Sequence, residues 1–131
     1  MRLISIDFGL SKVGVGIATS KIAEPYSIIR YRNNKLLFKT IEEIIQKEKT
    51  EKIIVGISEG EMAEKTKEFV KDLKKEIDIP IEEFDETLST LDAQRLAIES
   101  GMRRSKRKNM EDAMAAAVML QNYLDVKFST H

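Results

Sequence analysis

The hydrophobic pattern of this chain changes its period once, and that change limits the folds the chain can adopt. In residues 2–31, short apolar segments are separated by short polar turns, which is typical of strands on tight connections. From residue 36 onwards, segments with helical spacing alternate with short apolar runs. The early part therefore predicts an antiparallel meander, and the later part predicts strands that return through helices.

We predict five strands, at residues 2–8, 13–17, 26–31, 53–57 and 79–84, and four helices, at residues 36–48, 62–77, 91–100 and 110–124. Right-handed crossovers place the fourth and fifth strands parallel to the first. The predicted fold class is α/β, a five-stranded mixed sheet (a three-strand antiparallel meander plus two parallel strands) with helices on both faces. Pro80 predicts that the fifth strand lies at a sheet edge, and the glycines within residues 13–17 predict close approach of another backbone.

The composition is that of one soluble domain, residues 1–131, with 22 basic and 22 acidic side chains. Net charge therefore gives no indication of a nucleic-acid partner. The chain has no cysteine and its one histidine is the terminal His131, so thiolate metal sites and a histidine-based zinc hydrolase are excluded. No apolar run is as long as a membrane span and the N-terminus does not resemble a signal peptide, so we expect no membrane partner and a cytoplasmic location.

Three acidic residues fall where strands end or a helix begins. Asp7 lies in the pattern of the first strand, Glu86 follows the fifth strand, and Asp112 lies in the opening turn of the last helix. Each has a simpler structural explanation, because acids are common in turns and near helix N-termini. Buried acids are nevertheless costly unless they are paired or bound to metal, and the predicted topology brings these positions together. We predict that all three are metal ligands and catalytic residues, with Glu59, in the loop after the fourth strand, as the alternative to Glu86.

The residue types in this set determine the chemistry that it predicts. Carboxylate oxygens are the ligands that the hard cations Mg²⁺ and Mn²⁺ prefer. Two such ions, roughly 3.5–4 Å apart, activate a water and stabilise the leaving oxygen in phosphodiester cleavage. A divalent cation also relieves the repulsion between neighbouring acids. The predicted cofactor is therefore Mg²⁺ or Mn²⁺, and the predicted reaction is hydrolysis of phosphodiester bonds in structured nucleic acid.

A run of basic residues lies directly before the last helix. Its members are Arg103, Arg104, Lys106, Arg107 and Lys108. A charged run is usually a solvated loop, but here a neutral chain concentrates positive charge beside the predicted metal site. Because lysine and arginine supply most non-specific affinity for nucleic acid, we predict that this run binds phosphates together with Lys12, in the first turn. Tyr31, in the polar turn after the third strand, is a candidate stacking platform for a base.

Four segments resemble the YqgF/RuvX family. They are D-F-G-L-S-K-V-G-V-G-I-A-T-S (Asp7–Ser20), I-V-G-I (Ile54–Ile57), D-E-T-L-S-T-L-D-A (Asp85–Ala93) and E-D-A-M-A-A-A-V-M-L-Q-N-Y-L (Glu111–Leu124). Members are bacterial RNase H-fold proteins, described as Holliday junction resolvase-like and as pre-16S rRNA processing nucleases. The resemblance covers nearly the whole chain, and it implies an RNase H-like fold and divalent-metal dependence. It also implies catalytic acids at Asp7, Glu86 and Asp112.

Two positions depart from the family pattern. Thr87 stands where the family usually has arginine after the D-E pair, and Ser58 stands where the family usually has proline. Both departures bear on how substrate is positioned more than on the metal site.

Other interpretations remain open on the sequence alone. A catalytically silent nucleic-acid or ribosome-binding module could share the fold, and Thr87 favours that alternative. A sugar-kinase or actin-like ATPase begins with a similar acid, glycine turn and hairpin, but it needs a second lobe for which 131 residues leave no room. Precursor ribosomal RNA and branched DNA are rival substrates. A resolvase should be a symmetric dimer, whereas an RNA-trimming enzyme has no such requirement, so both a monomer and a homodimer are compatible with the sequence.

Overall fold

Five strands form one mixed sheet in this computed structural model, which describes residues 1–85 and 111–128. The elements are β1 (Leu3–Asp7), β2 (Lys12–Ala18), β3 (Ala23–Arg30), α1 (Asn34–Glu48), β4 (Lys52–Ile57), α2 (Glu61–Glu76), β5 (Ile81–Asp85) and α3 (Glu111–Lys127). The helix predicted at residues 91–100 lies outside the described residues. Within them, none of the helices combines the length and the apolar character that a bilayer crossing requires.

The strands follow the order β3-β2-β1-β4-β5. The first three strands pair antiparallel, whereas β4 pairs parallel to β1 and to β5. This confirms the predicted topology, because short turns can join only antiparallel neighbours while α1 and α2 supply the crossovers. The C-terminal ends of the three parallel strands, β1, β4 and β5, consequently lie at the same end of the sheet. Asp7 ends β1 there and Asp85 ends β5.

The largest difference from the predicted strand boundaries is at the start of β3. β3 begins at Ala23, three residues before the predicted start. Proline interrupts the hydrogen-bonding ladder of a strand, so Pro25 makes an early start hard to predict. In the structure Pro25 pairs with Gly16, at the point where the register shifts, on a strand at the edge of the sheet. A bulged edge strand tolerates the missing N–H donor. The prediction from Pro80 is confirmed, since β5 is the other edge strand.

Different helices cover the two faces of the sheet. On one face, α1 and α2 pack against the side chains of Ile4, Ile6, Val13, Val15, Ile53 and Val55. On the other face, α3 packs against Leu3, Ala18 and Ile54. Helices on both faces were predicted, and the alternation of Ile53, Ile54 and Val55 between the two cores explains why β4 is a continuous apolar run.

A polar cluster holds the C-terminal half of α3 against β4 and β5. Lys52 Nζ lies 2.9 Å from the Tyr123 hydroxyl and 2.5 Å from a carboxylate oxygen of Glu82. The Tyr123 ring also meets Phe84 edge-on, with centroids 5.5 Å apart. These contacts anchor one end of α3, and they leave the position of the other end to be decided by its contacts with β1 and β2.

Candidate active site

The N-terminal half of α3 rests directly on the backbone of β2. Gly14 and Gly16 face the helix, and a Cβ atom at Gly14 would overlap the backbone carbonyl of Asp112. A Cβ atom at Gly16 would lie 2.6 Å from Ser5 Oγ and 2.9 Å from the backbone nitrogen of Ala117. No residue larger than glycine therefore fits without moving the helix. The predicted close backbone approach at these glycines is confirmed.

A buried hydrogen bond fixes the same end of the helix to β1. The Ser5 hydroxyl donates to the backbone carbonyl of Ala116 across 2.7 Å. Ser5 is fully buried, so this bond forms without competition from solvent. Together with the glycine contacts, it determines where the first turn of α3 lies relative to the end of β1.

These contacts place Asp7 and Asp112 on either side of Gly14. Asp7 ends β1 and is the register partner of Gly14, and it lies on the same face as Leu3 and Ser5, as the strand alternation predicted. Asp112 is in the first turn of α3, with its carbonyl against the same glycine. Two acids from opposite ends of the sequence thus lie together at the end of the sheet where the parallel strands terminate.

The electrostatics of Asp7 reflect this meeting. Burial, with a smaller contribution from the negative charge of Asp112, raises the pKa of the Asp7 carboxyl from 3.8 to about 6. Lys12 forms an ion pair with Asp112, with its Nζ 2.8 Å from Oδ2 of that carboxylate. Of the two acids, Asp112 is therefore the one that a lysine neutralises.

The turn between Asp7 and Lys12 is braced by Tyr31. The Tyr31 hydroxyl donates to the Gly9 carbonyl across 2.5 Å, and the Tyr31 backbone N–H donates to the Ser11 carbonyl across 3.2 Å. Sequence reasoning considered Tyr31 only as a stacking platform and missed this bracing role. No local pattern signals it, because the contact joins residues that only the β2–β3 pairing brings together.

Phe8 anchors the beginning of the same turn on the opposite face of the sheet. Its ring stacks on Phe69 of α2 with centroids 4.4 Å apart. Leu10, at the tip of the turn, is 62% exposed. The turn is therefore held at both ends while its tip projects into solvent beside Asp7.

Several predicted site residues lie outside the described residues. They are Glu86, Arg103, Arg104, Lys106, Arg107 and Lys108, together with the departure at Thr87. Glu59 is described and is exposed in the loop after β4. Across residues 1–85 and 111–128, no three or more His, Cys, Asp or Glu side chains are grouped so as to hold a metal, so Glu59 does not complete such a group with Asp7 and Asp112.

The donor chemistry of the described acids suits a hard divalent cation. Both offer carboxylate oxygens, and they are close enough for the charge of Asp112 to oppose ionisation of Asp7. A divalent cation bound between them would remove that opposition, because it favours the ionised form of both groups. The residues present therefore fit the predicted Mg²⁺ or Mn²⁺, with Glu86 as the further ligand expected from the sequence.

Comparison with known proteins identifies the family. The model of the RuvX family, described as Holliday junction resolvase, matches residues 1–126. The chain belongs to this family. Among curated relatives, a protein of Halothermothrix orenii named "Putative pre-16S rRNA nuclease" is 35% identical, and the alignment covers 100% of this chain and 99% of that protein. A protein of Thermoanaerobacter pseudethanolicus with the same name is 38% identical, and the alignment covers 95% of this chain and 96% of that protein.

Solved structures show the same fold. Thermus thermophilus RuvC in complex with a Holliday junction substrate superposes with a TM-score of 0.64 at 17% identity, covering 99% of this chain and 97% of that one. Fowlpox virus resolvase in complex with Holliday junction DNA gives a TM-score of 0.63 at 14% identity, covering 98% and 100%. The predicted RNase H-like fold is confirmed, and RuvX family membership confirms the prediction of a nuclease.

Proposed function

We propose that this RuvX-family chain uses a divalent metal, held by Asp7, Glu86 and Asp112, to hydrolyse phosphodiester bonds in structured nucleic acid. The observation that supports this most strongly is the placement of Asp7 and Asp112 around Gly14. Burial and the neighbouring charge of Asp112 both disfavour the ionised form of Asp7, so the arrangement is unfavourable for Asp7 unless a cation binds there. A cation bound at this point would stabilise both carboxylates.

Each residue has a definite task in this proposal. Asp7 and Asp112 hold Mg²⁺ or Mn²⁺, and Glu86 shares the metal or orients the attacking water. When bound, the metal supplies charge stabilisation at the phosphate and a more acidic water. Phosphates are held by Lys12 and by the basic residues within 103–108, which would also neutralise the charge that an acidic site presents to a polyanion.

We take precursor 16S rRNA as the first substrate to test, because the curated relatives that span the whole chain carry that name. A cytoplasmic location belongs to the same proposal, since such precursors are processed where ribosomes are assembled. Branched DNA is the second candidate, favoured by the description of the family model and by the junction-bound structural neighbours.

The test is cleavage of precursor 16S rRNA and of four-way DNA junctions, each with Mg²⁺, Mn²⁺ or chelator. We expect cutting of one substrate that depends on metal and is abolished by chelator. Sedimentation of the protein with a junction provides a further distinction, because symmetric incision of two strands requires a dimer. Binding without metal-dependent cutting of either substrate would instead support the catalytically silent module.

Variants then test the residue assignments. Asp7→Asn, Glu86→Gln and Asp112→Asn should each reduce the cleavage rate at least about 100-fold, since loss of a ligand costs more than loss of its outer-shell support. Nucleic-acid affinity should be retained. Asp78→Asn, at an exposed acid in the turn before β5, is the matched control and should cleave like the parent protein. Full activity in any of the three site variants would remove that residue from the proposed metal site.

A further inference from the structure

Lys12 holds the carboxylate of Asp112 in a way that bears on metal binding. It is the first residue of β2 and shares the helix-facing side of that strand with Gly14, so its side chain extends along the strand towards the first turn of α3. Its Nζ lies 2.8 Å from Oδ2 of Asp112, a charge-assisted hydrogen bond. The Lys12 side chain is 46% exposed and that of Asp112 is 34% exposed, so the pair can open to solvent.

The charges around this pair are unequal. Within residues 1–85 and 111–128, Lys12 forms an ion pair with Asp112, and Asp7 has no ion pair there. One ammonium therefore compensates one of two neighbouring carboxylates. A divalent cation would compensate both, but it would have Lys12 as a neighbour of like charge at the same carboxylate.

We propose that Lys12 is a tethered cation that occupies Asp112 in the metal-free protein and is released when metal binds. Released Lys12 is then free to hold a phosphate of the nucleic acid, which is the role expected of it from the sequence. The inference rests on the proposed function, since it assumes that Asp7 and Asp112 are metal ligands. It adds that metal and nucleic acid bind cooperatively through this one side chain, because each binding event favours the open ion pair.

The first test is Mn²⁺ titration by calorimetry, without nucleic acid, of the parent protein and of Lys12→Met, which keeps the length of the side chain and removes its charge. We expect Lys12→Met to bind Mn²⁺ about fivefold more tightly, because a half-exposed ion pair of this kind is worth up to roughly 1 kcal/mol and no longer has to be broken. Lys12→Arg keeps the charge and should bind Mn²⁺ no more tightly than the parent. Lys71→Met, at an exposed lysine on α2, is the control and should match the parent.

The second test is the salt dependence of nucleic-acid binding, measured by fluorescence anisotropy with Ca²⁺ in place of Mg²⁺ and again with chelator. With Ca²⁺, the log–log slope for Lys12→Met should be smaller than that of the parent by about one phosphate contact. With chelator, the two slopes should agree, because Lys12 is then held by Asp112. If Lys12 had only a structural role, the difference in slope between Lys12→Met and the parent would be the same with Ca²⁺ and with chelator.

The outcomes separate this inference from the proposed function. If the parent binds Mn²⁺ and Asp7→Asn does not, the metal site stands. If Lys12→Met then binds Mn²⁺ with the parent's affinity or more weakly, the tethered-cation inference is wrong. If Lys12→Met does not fold, Mn²⁺ binding by Lys12→Arg that is tighter than the parent's would overturn the inference equally. Absence of Mn²⁺ binding by the parent itself would refute the proposed metal site.

Discussion

Replacing Asp7 with asparagine should make the metal-free protein more stable near neutral pH. The pKa of Asp7 is raised from 3.8 to about 6, mainly by burial and further by the charge of Asp112. A raised acid pKa means that the native state binds more protons than the unfolded state between these two values. The free energy of unfolding therefore falls as the pH increases from about 4 to 6. Above that range it stays lower by the full cost of ionising Asp7 in the folded protein.

The size of the effect follows from the same shift. One pKa unit corresponds to about 1.4 kcal/mol, so ionised Asp7 costs up to about 3 kcal/mol at neutral pH. An asparagine side chain at this position would have nearly the same shape and no charge, so most of that cost should disappear. The parent should recover a comparable amount by binding metal, since a ligand at about 100 times its Kd stabilises by about 2.7 kcal/mol.

Urea denaturation at several pH values between about 4 and 8, in chelator and in Mn²⁺, provides the assay. The difference between Asp7→Asn and the parent should be near zero at about pH 4, grow as the pH rises to about 6 and then stay constant. Mn²⁺ should stabilise the parent more than Asp7→Asn, and Asp78→Asn should show neither effect. An Asp7→Asn protein that is less stable than the parent at neutral pH in chelator would refute the reasoning.

The remaining predictions concern the contacts that build the site. Gly14→Ala should lower the free energy of unfolding by about 2 kcal/mol or more, because the new methyl overlaps a backbone carbonyl of α3; an unchanged urea midpoint would contradict the close approach. Ser5→Ala should cost about 1 kcal/mol in the same measurement, since it removes one buried hydrogen bond to α3. Tyr31→Phe should reduce kcat about tenfold by loosening the turn that it braces through the Gly9 carbonyl. Unaltered kcat in Tyr31→Phe would show that the brace does not position the site.

The meander and the crossovers could be predicted because each depends on local patterns. Alternation in β1 correctly placed Asp7 on the same face as Leu3 and Ser5, and the change of period after residue 36 correctly separated the antiparallel strands from the parallel ones. The start of β3 was wrong because tolerance of Pro25 depends on which strand lies at the edge. Strand position within a sheet is not a local property.

The candidate site also has features that the sequence could predict and features that depend on the completed fold. Its acids could be selected from the sequence because acidic residues at strand ends and helix starts carry a recognisable pattern, and Glu86 and the basic run at 103–108 remain predictions of that kind. The ion pair of Lys12 with Asp112 and the bracing of the turn by Tyr31 could not be selected. Nothing in the neighbourhood of residue 12 indicates which of the chain's acids will lie beside it.

By itself, the sequence determined the order of strands and helices, the side of β1 that carries Asp7, and membership of the RuvX family. Hydrophobic periodicity acts over a few residues, so these features need no knowledge of the completed fold. Only the tertiary structure decided that the first turn of α3 rests on Gly14, and with it the raised pKa of Asp7 and the capture of Asp112 by Lys12. Those properties depend on distances of a few ångströms between segments from opposite ends of the chain, and such distances are set by packing.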